Sequence, residues 1–128
     1  MPTSTMSFLD LMPDDPIVKQ IVREAQGVDT ELCGVLVPTL LHGSHIVILP
    51  NRSPFPHSQF HIRGEDLRLA LEGWLEANDT ELWTEVVFWH THPGGGIGPS
   101  TTDLQNKPKG ARSLVIALTK DGPVLTFY

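Results

Sequence analysis

Residues 84–103, TEVVFWHTHPGGGIGPSTTD, hold the side chains best suited to chemistry. In an extended strand, residues two apart face the same side. His90 and His92 therefore point the same way, and their imidazoles can share one metal ion. Pro93 cannot continue a central ladder, so the strand stops where the ligands are needed. Gly94, Gly95, Gly96 and Gly98 let the backbone turn back. Asp103 then returns a carboxylate. Two imidazoles and one carboxylate suit zinc, and three protein ligands with a fourth position open form the pattern of a catalytic site. An H-x-H pair alone is a weak motif, and its bland reading is two polar residues at a strand rim. The strand-to-loop exit, the glycine loop and the Ser100-x-x-Asp103 signature weigh against that reading. Ser100 also reads as a helix N-cap with Asp103 at N3, so the first helical turn would aim the carboxylate.

Far upstream, Glu31 opens the apolar run ELCGVLV. An acid there is usually a solvated strand end; the functional alternative is a general base for a metal-activated water. Taken together, Glu31, His90-x-His92-Pro93 and Ser100-x-x-Asp103 resemble the JAMM (MPN+) zinc metalloprotease family. The resemblance covers roughly residues 17–128. It is nearest to the short bacterial and phage branch, including the peptidase domain of phage tail-tip proteins. It implies one Zn²⁺ per chain, held by His90, His92 and Asp103, with Glu31 as general base and Ser100 as donor to the oxyanion. Ser100 as nothing more than a cap is the competing reading. The implied activity is hydrolysis of a peptide or isopeptide bond, at an extended C-terminal tail or at a junction with a ubiquitin-like or carrier protein. The alternative is a non-enzymatic MPN-type scaffold or phage-tail assembly protein. Such scaffolds usually lose one or more of the five residues, and all five are present here.

These residues need a frame. Asp14-Asp15-Pro16 announces a helix with Ile17, Val18, Ile21, Val22 and Ala25 on its apolar face, ended by Gly27. Strands are expected at 31–37, 45–49, 84–90, 113–118 and 124–128, with a brief one at 60–62. A hairpin joins the first two. A second helix spans about 65–77, with Leu67, Ala70, Leu71, Trp74 and Leu75 inward. The short helix after Ser100 breaks at Lys107-Pro108-Lys109-Gly110. The fold class is α/β of the α+β type: one mixed sheet packed against two main helices, plus a short helix carrying Asp103. Residues 1–13 read as a tail whose Phe8, Leu9, Leu11 and Met12 are available to dock. Residues 14–128 read as one domain.

Composition narrows the classes. With 40% hydrophobic and 19% charged residues in 128, the chain is an ordinary globular domain with enough length for a core. Its net charge of −6 argues against nucleic-acid binding. No run reaches the roughly 18 apolar residues of a membrane span. The N-terminus lacks a basic region ahead of its apolar stretch, so a signal peptide is not expected and a cytoplasmic location is, or a virion-associated one for a phage protein. The glycine loop lacks the Gly-Lys-Ser/Thr of a phosphate-binding loop. His57 and His61 would be a metal pair only on a helix, which Pro54 and Pro56 oppose. His42 and His45 read as surface residues. Cys33 reads as a small buried hydrophobe, Trp89 as core, and Thr91 as packing away from the ligand face.

Overall fold

The computed structural model describes residues 11–37, 45–78, 86–107 and 112–128, the side chains of 73–78 excepted. Its elements run α1 (Pro16–Ala25), β1 (Cys33–Val37), β2 (His45–Leu49), α2 (Gly64–Asn78), β3 (Val87–His92), α3 (Thr101–Asn106), β4 (Arg112–Thr119) and β5 (Gly122–Phe127). The strands form one mixed sheet in the order β2-β1-β3-β4-β5. Among the described residues, only the β3–β4 pair is parallel. A parallel neighbour requires a crossover, and the chain makes it through the glycine loop and α3. That crossover is what returns Asp103 to the end of β3.

Strand alternation sorts the sheet's two faces. Leu36, Val87, Trp89, Leu114 and Ile116 pack on one side with Val18 and Ile21 of α1. Val35, Val37 and Leu49 pack on the other with Leu71 of α2, joined by Phe88 and Val86. The two main helices thus cover opposite faces. The sequence reading gave two helices on a sheet without dividing them between its faces. Helix α1 is held at its start by the Asp15 side chain, which accepts from the Ile17 N–H at 2.9 Å, and by Pro16 at the first position. Such a cap is worth about 1 kcal/mol. Leu11, from the expected tail, is buried in the α1-side core, whereas Met12 is exposed.

Gly34 sits opposite Trp89 across the β1–β3 ladder. A Cβ there would be driven into the Val47 carbonyl oxygen and the Trp89 ring. Neither can yield, because the first is ladder backbone and the second is fully buried. Gly34→Ala is therefore expected to cost about 3 kcal/mol or more, read as a fall in the denaturation midpoint. Wild-type stability in this variant would show that the β1–β2–β3 packing is wrongly described.

Several expectations need correction. The first strand begins at Cys33, where 31–37 was expected, so Glu31 lies just ahead of it, and the last runs over 122–127, where 124–128 was expected. Residues 60–62 are not a strand. The Asn51 side chain takes the His61 N–H at 3.0 Å, and the His61 carbonyl accepts from Arg52 at 2.9 Å, so this segment is stitched into the 50–61 loop instead of a ladder. β3 spans 87–92, where 84–90 was expected, so both histidines lie within the strand. The second helix begins at Gly64 and reaches Asn78. The inward placement expected of Trp74 and Leu75, the β1–β2 connection with His42, and the break at 108–110 lie outside the described residues and side chains.

Candidate metal centre

β3 delivers His90 and His92 on the face it shares with Phe88, and Pro93 ends the strand. Gly95 and Gly98 adopt φ of 85° and 80°, which glycine tolerates and other residues rarely do. The turn they form carries the Gly96 carbonyl back to His92 Nδ1, at 2.8 Å. A carbonyl only accepts, so Nδ1 carries the proton and Nε2 of the neutral ring presents its lone pair. The glycine loop thereby sets the tautomer of a ligand, in the way metal-binding histidines are usually oriented.

Asp103 arrives on α3 through a full capping box. The Ser100 hydroxyl accepts from the Asp103 N–H at 3.0 Å, and Asp103 Oδ2 accepts from the Ser100 N–H at 2.8 Å. The same Oδ2 lies 3.0 Å from His90 Nε2 and 3.1 Å from His92 Nε2. The two Nε2 atoms are 3.2 Å apart. Three donor atoms thus form a nearly equilateral triangle. A tetrahedral zinc, at about 2.0–2.1 Å from each ligand, would set them about 3.3–3.4 Å apart. Atoms of this kind at such distances need either bridging protons or a cation between them, and a metal ion would take the place of the protons that bridge them in the metal-free protein, so the donor set fits a metal ion.

Glu31 completes the cluster. The β1–β3 pairing continues one step beyond the ladder: Thr91 N–H donates to the Leu32 carbonyl, and Leu32 N–H donates to Thr91 Oγ1, each at 2.9 Å. Leu32 opposite Thr91 places Glu31 opposite His92, on the ligand face. Glu31, His90, His92 and Asp103 each offer an atom within 4.8 Å of the others. Glu31 is buried, and its Oε1 has no hydrogen-bond partner. Burial pushes its carboxyl up to about 7; the nearby His92 opposes this and Asp103 adds to it. Burial would likewise raise Asp103, yet in the metal-free protein hydrogen bonds from the imidazoles of His90 and His92, protonated there at Nε2, and from the Ser100 N–H hold it well below the usual carboxylate range. Burial lowers His90, whereas the Asp103 hydrogen bond outweighs burial and raises His92.

The remaining sequence candidates separate cleanly. Ser100 is exposed and acts as the cap. Trp89 is fully buried on the opposite face. Cys33 is buried across the β1–β3 ladder from His90, its thiol pushed up to about 12 by burial and by Glu31, and it is not part of the cluster. His57 lies beside Asp29, away from the cluster, and His45 is an exposed residue of β2.

Other contributors carry no local signature. Phe60 stacks on the His90 ring at 4.2 Å and 22°, and Tyr128 meets that ring edge-on at 6.2 Å. Asn51 uses its whole amide: Nδ2 donates to the Glu31 and Gln59 carbonyls, and Oδ1 accepts from the Ser53 and His61 N–H groups. It ties the backbone of Glu31 to the loop that carries Phe60. The one available signal was an amide residue heading a proline-rich loop, a position where such side chains often organise backbone.

Among the described residues, no helix is long and apolar enough to cross a membrane. No curated protein matches the chain. The family model described as prokaryotic homologs of the JAB domain matches residues 14–127. The match takes in every element of the sheet and all four clustered side chains, and the chain belongs to this bacterial branch of the JAMM/MPN family.

Proposed function

We propose that the protein is a zinc-dependent peptidase or isopeptidase. The observation that supports this most is the triangle of His90 Nε2, His92 Nε2 and Asp103 Oδ2 beside an unpartnered, buried Glu31 carboxylate oxygen. A structural zinc site would want a fourth protein ligand, usually cysteine, and Cys33 turns its sulfur toward the Leu49 and Pro50 carbonyls instead.

His90, His92 and Asp103 would hold the ion. When bound, zinc supplies Lewis acidity to a substrate carbonyl and to water. Glu31 takes a proton from the attacking water and returns it to the nitrogen of the departing amine. Its burial without a partner leaves an oxygen free for that transfer. The Ser100 hydroxyl accepts from the Asp103 N–H, which leaves its own proton to donate to the oxyanion; such donors typically contribute about 10²–10³ in rate. Phe60 and the Gly96 carbonyl keep the two imidazoles in place. The substrate is a protein or peptide, entered through an extended tail of the kind found at the C-termini of ubiquitin-like and carrier proteins.

Metal content after dialysis tests this reading. Wild-type protein is expected to retain about one zinc per chain, and His92→Ala to lose it. A folded wild-type protein that takes up no zinc on addition would leave an assembly module that keeps the residues without the chemistry.

A further inference from the structure

A pocket of about 540 Å³ opens beside Asp103, on the same sheet face as His90. That volume falls in the roughly 300–1,000 Å³ range of ligand-binding pockets. Helix α2 packs over β1 and β2, and the face beyond Phe88 toward β4 is left open. Phe60, Ile62, Leu67, Phe88 and Tyr128 line the space, each only partly buried. Two of these, Phe60 and Tyr128, also touch the His90 ring, and Asp103 lies on the wall, so the pocket adjoins the metal centre.

Its charge is one-sided. Lys107 borders it, with Nζ 5.8 Å from the centroid of the Tyr128 ring. The acid on the wall is Asp103, whose Oδ2 is already committed to both imidazoles and the Ser100 N–H. A basic side chain entering here would leave water for a space with an apolar wall and a like charge at its edge. An apolar side chain would cover exposed aromatic surface at no such cost.

We propose that this pocket is the specificity subsite of the metal centre: it takes an aromatic or large aliphatic side chain from a residue flanking the scissile amide, and Lys107 sets it against basic ones. The proposal rests on the zinc reading above and adds a substrate class to it.

Hydroxamic acids test it, because the hydroxamate anchors on the metal and its substituent explores the pocket without turnover. Affinities of the acetic, phenylpropionic and ω-aminopentanoic hydroxamic acids for zinc-loaded protein would be measured by titration calorimetry. The phenylpropionic compound is expected to bind at least about tenfold more tightly than the acetic one, and the amino compound to show no such gain. Ile62→Trp, which fills the pocket, should abolish the gain while acetic hydroxamic acid still binds. Lys107→Glu should move the advantage toward the amino compound, and it serves if Ile62→Trp does not fold. Equal affinity for the phenylpropionic and acetic compounds in zinc-loaded wild type would overturn the subsite, as would an unchanged order of preference in a folded, zinc-loaded variant. Wild-type protein that holds no zinc would instead bring down the peptidase reading, and the subsite with it.

Discussion

Glu31→Gln is expected to keep its zinc and to lose about 10²–10⁴ in turnover, the range that a positioned general base contributes. The substitution preserves volume in a buried site, so packing is undisturbed. The backbone is fixed independently of the side chain: Glu31 N–H donates to the Pro56 carbonyl at 2.7 Å, and its own carbonyl accepts from Asn51 at 2.9 Å. An amide placed there can neither take nor return a proton. Zinc content and rate separate the two roles open to this residue. If Glu31 were itself a ligand, metal would be lost along with turnover; if it plays no part, rate would survive. Stability of the metal-free protein gives a readout without substrate. The Glu31 carboxyl is raised from its ordinary 4.5 to about 7 by burial, so the native state favours the protonated form. Stability from this group is full below about 4.5 and is lost as pH rises through about 7. Glutamine carries no such cost. Metal-free Glu31→Gln should therefore gain on the wild type in thermal unfolding above pH 7 and show no such gain in acid.

The features of this site that were legible in the sequence are the ones carried by local spacing. Period-two alternation put His90 and His92 on one face, and β3 keeps them there. The Ser100-x-x-Asp103 spacing specified a capping box, which depends on four consecutive residues and needs nothing from the rest of the fold. The Asp15-Pro16 start of α1 was readable for the same reason. Long-range partners were not. Phe60 looked like part of a strand because aromatic and β-branched residues suit strands. Its actual role depends on Asn51 taking the His61 N–H, which withdraws the segment from any ladder. That Glu31 belongs opposite His92 follows from the β1–β3 register, which no pattern in either strand alone contains; resemblance to a known family implied its role as general base and not this placement. Trp89, adjacent to His90 in the chain, faces the other core because strand alternation must give that face something apolar to bury.

Asp103→Ala should weaken zinc retention by more than the roughly ten- to hundredfold that removal of an outer-shell partner costs, because it deletes a donor atom on which the other two converge. Asp103 Oδ2 is shared by His90, His92 and the Ser100 N–H. Its loss leaves two imidazole nitrogens 3.2 Å apart without the oxygen that completes the triangle. The variant also loses half of the capping box, at a cost of about 1 kcal/mol to α3, so a drop in metal affinity could be blamed on a frayed helix. Asp103→Asn separates these causes. Its amide oxygen can still accept from the Ser100 N–H and keep the cap, but it is neutral and a poor zinc ligand. If the carboxylate acts as a ligand, both variants lose zinc, and only alanine loses helix stability. If it acts through the helix alone, asparagine retains the metal. The acid limb of unfolding is a further check on metal-free protein. A carboxyl held below its ordinary 3.8 contributes stability above that pH and surrenders it as pH falls, so both variants should flatten the acid limb. Undiminished zinc affinity in Asp103→Ala would mean that the ion, if one binds, is held by other residues, and the place of Glu31 opposite His92 would then need a different explanation.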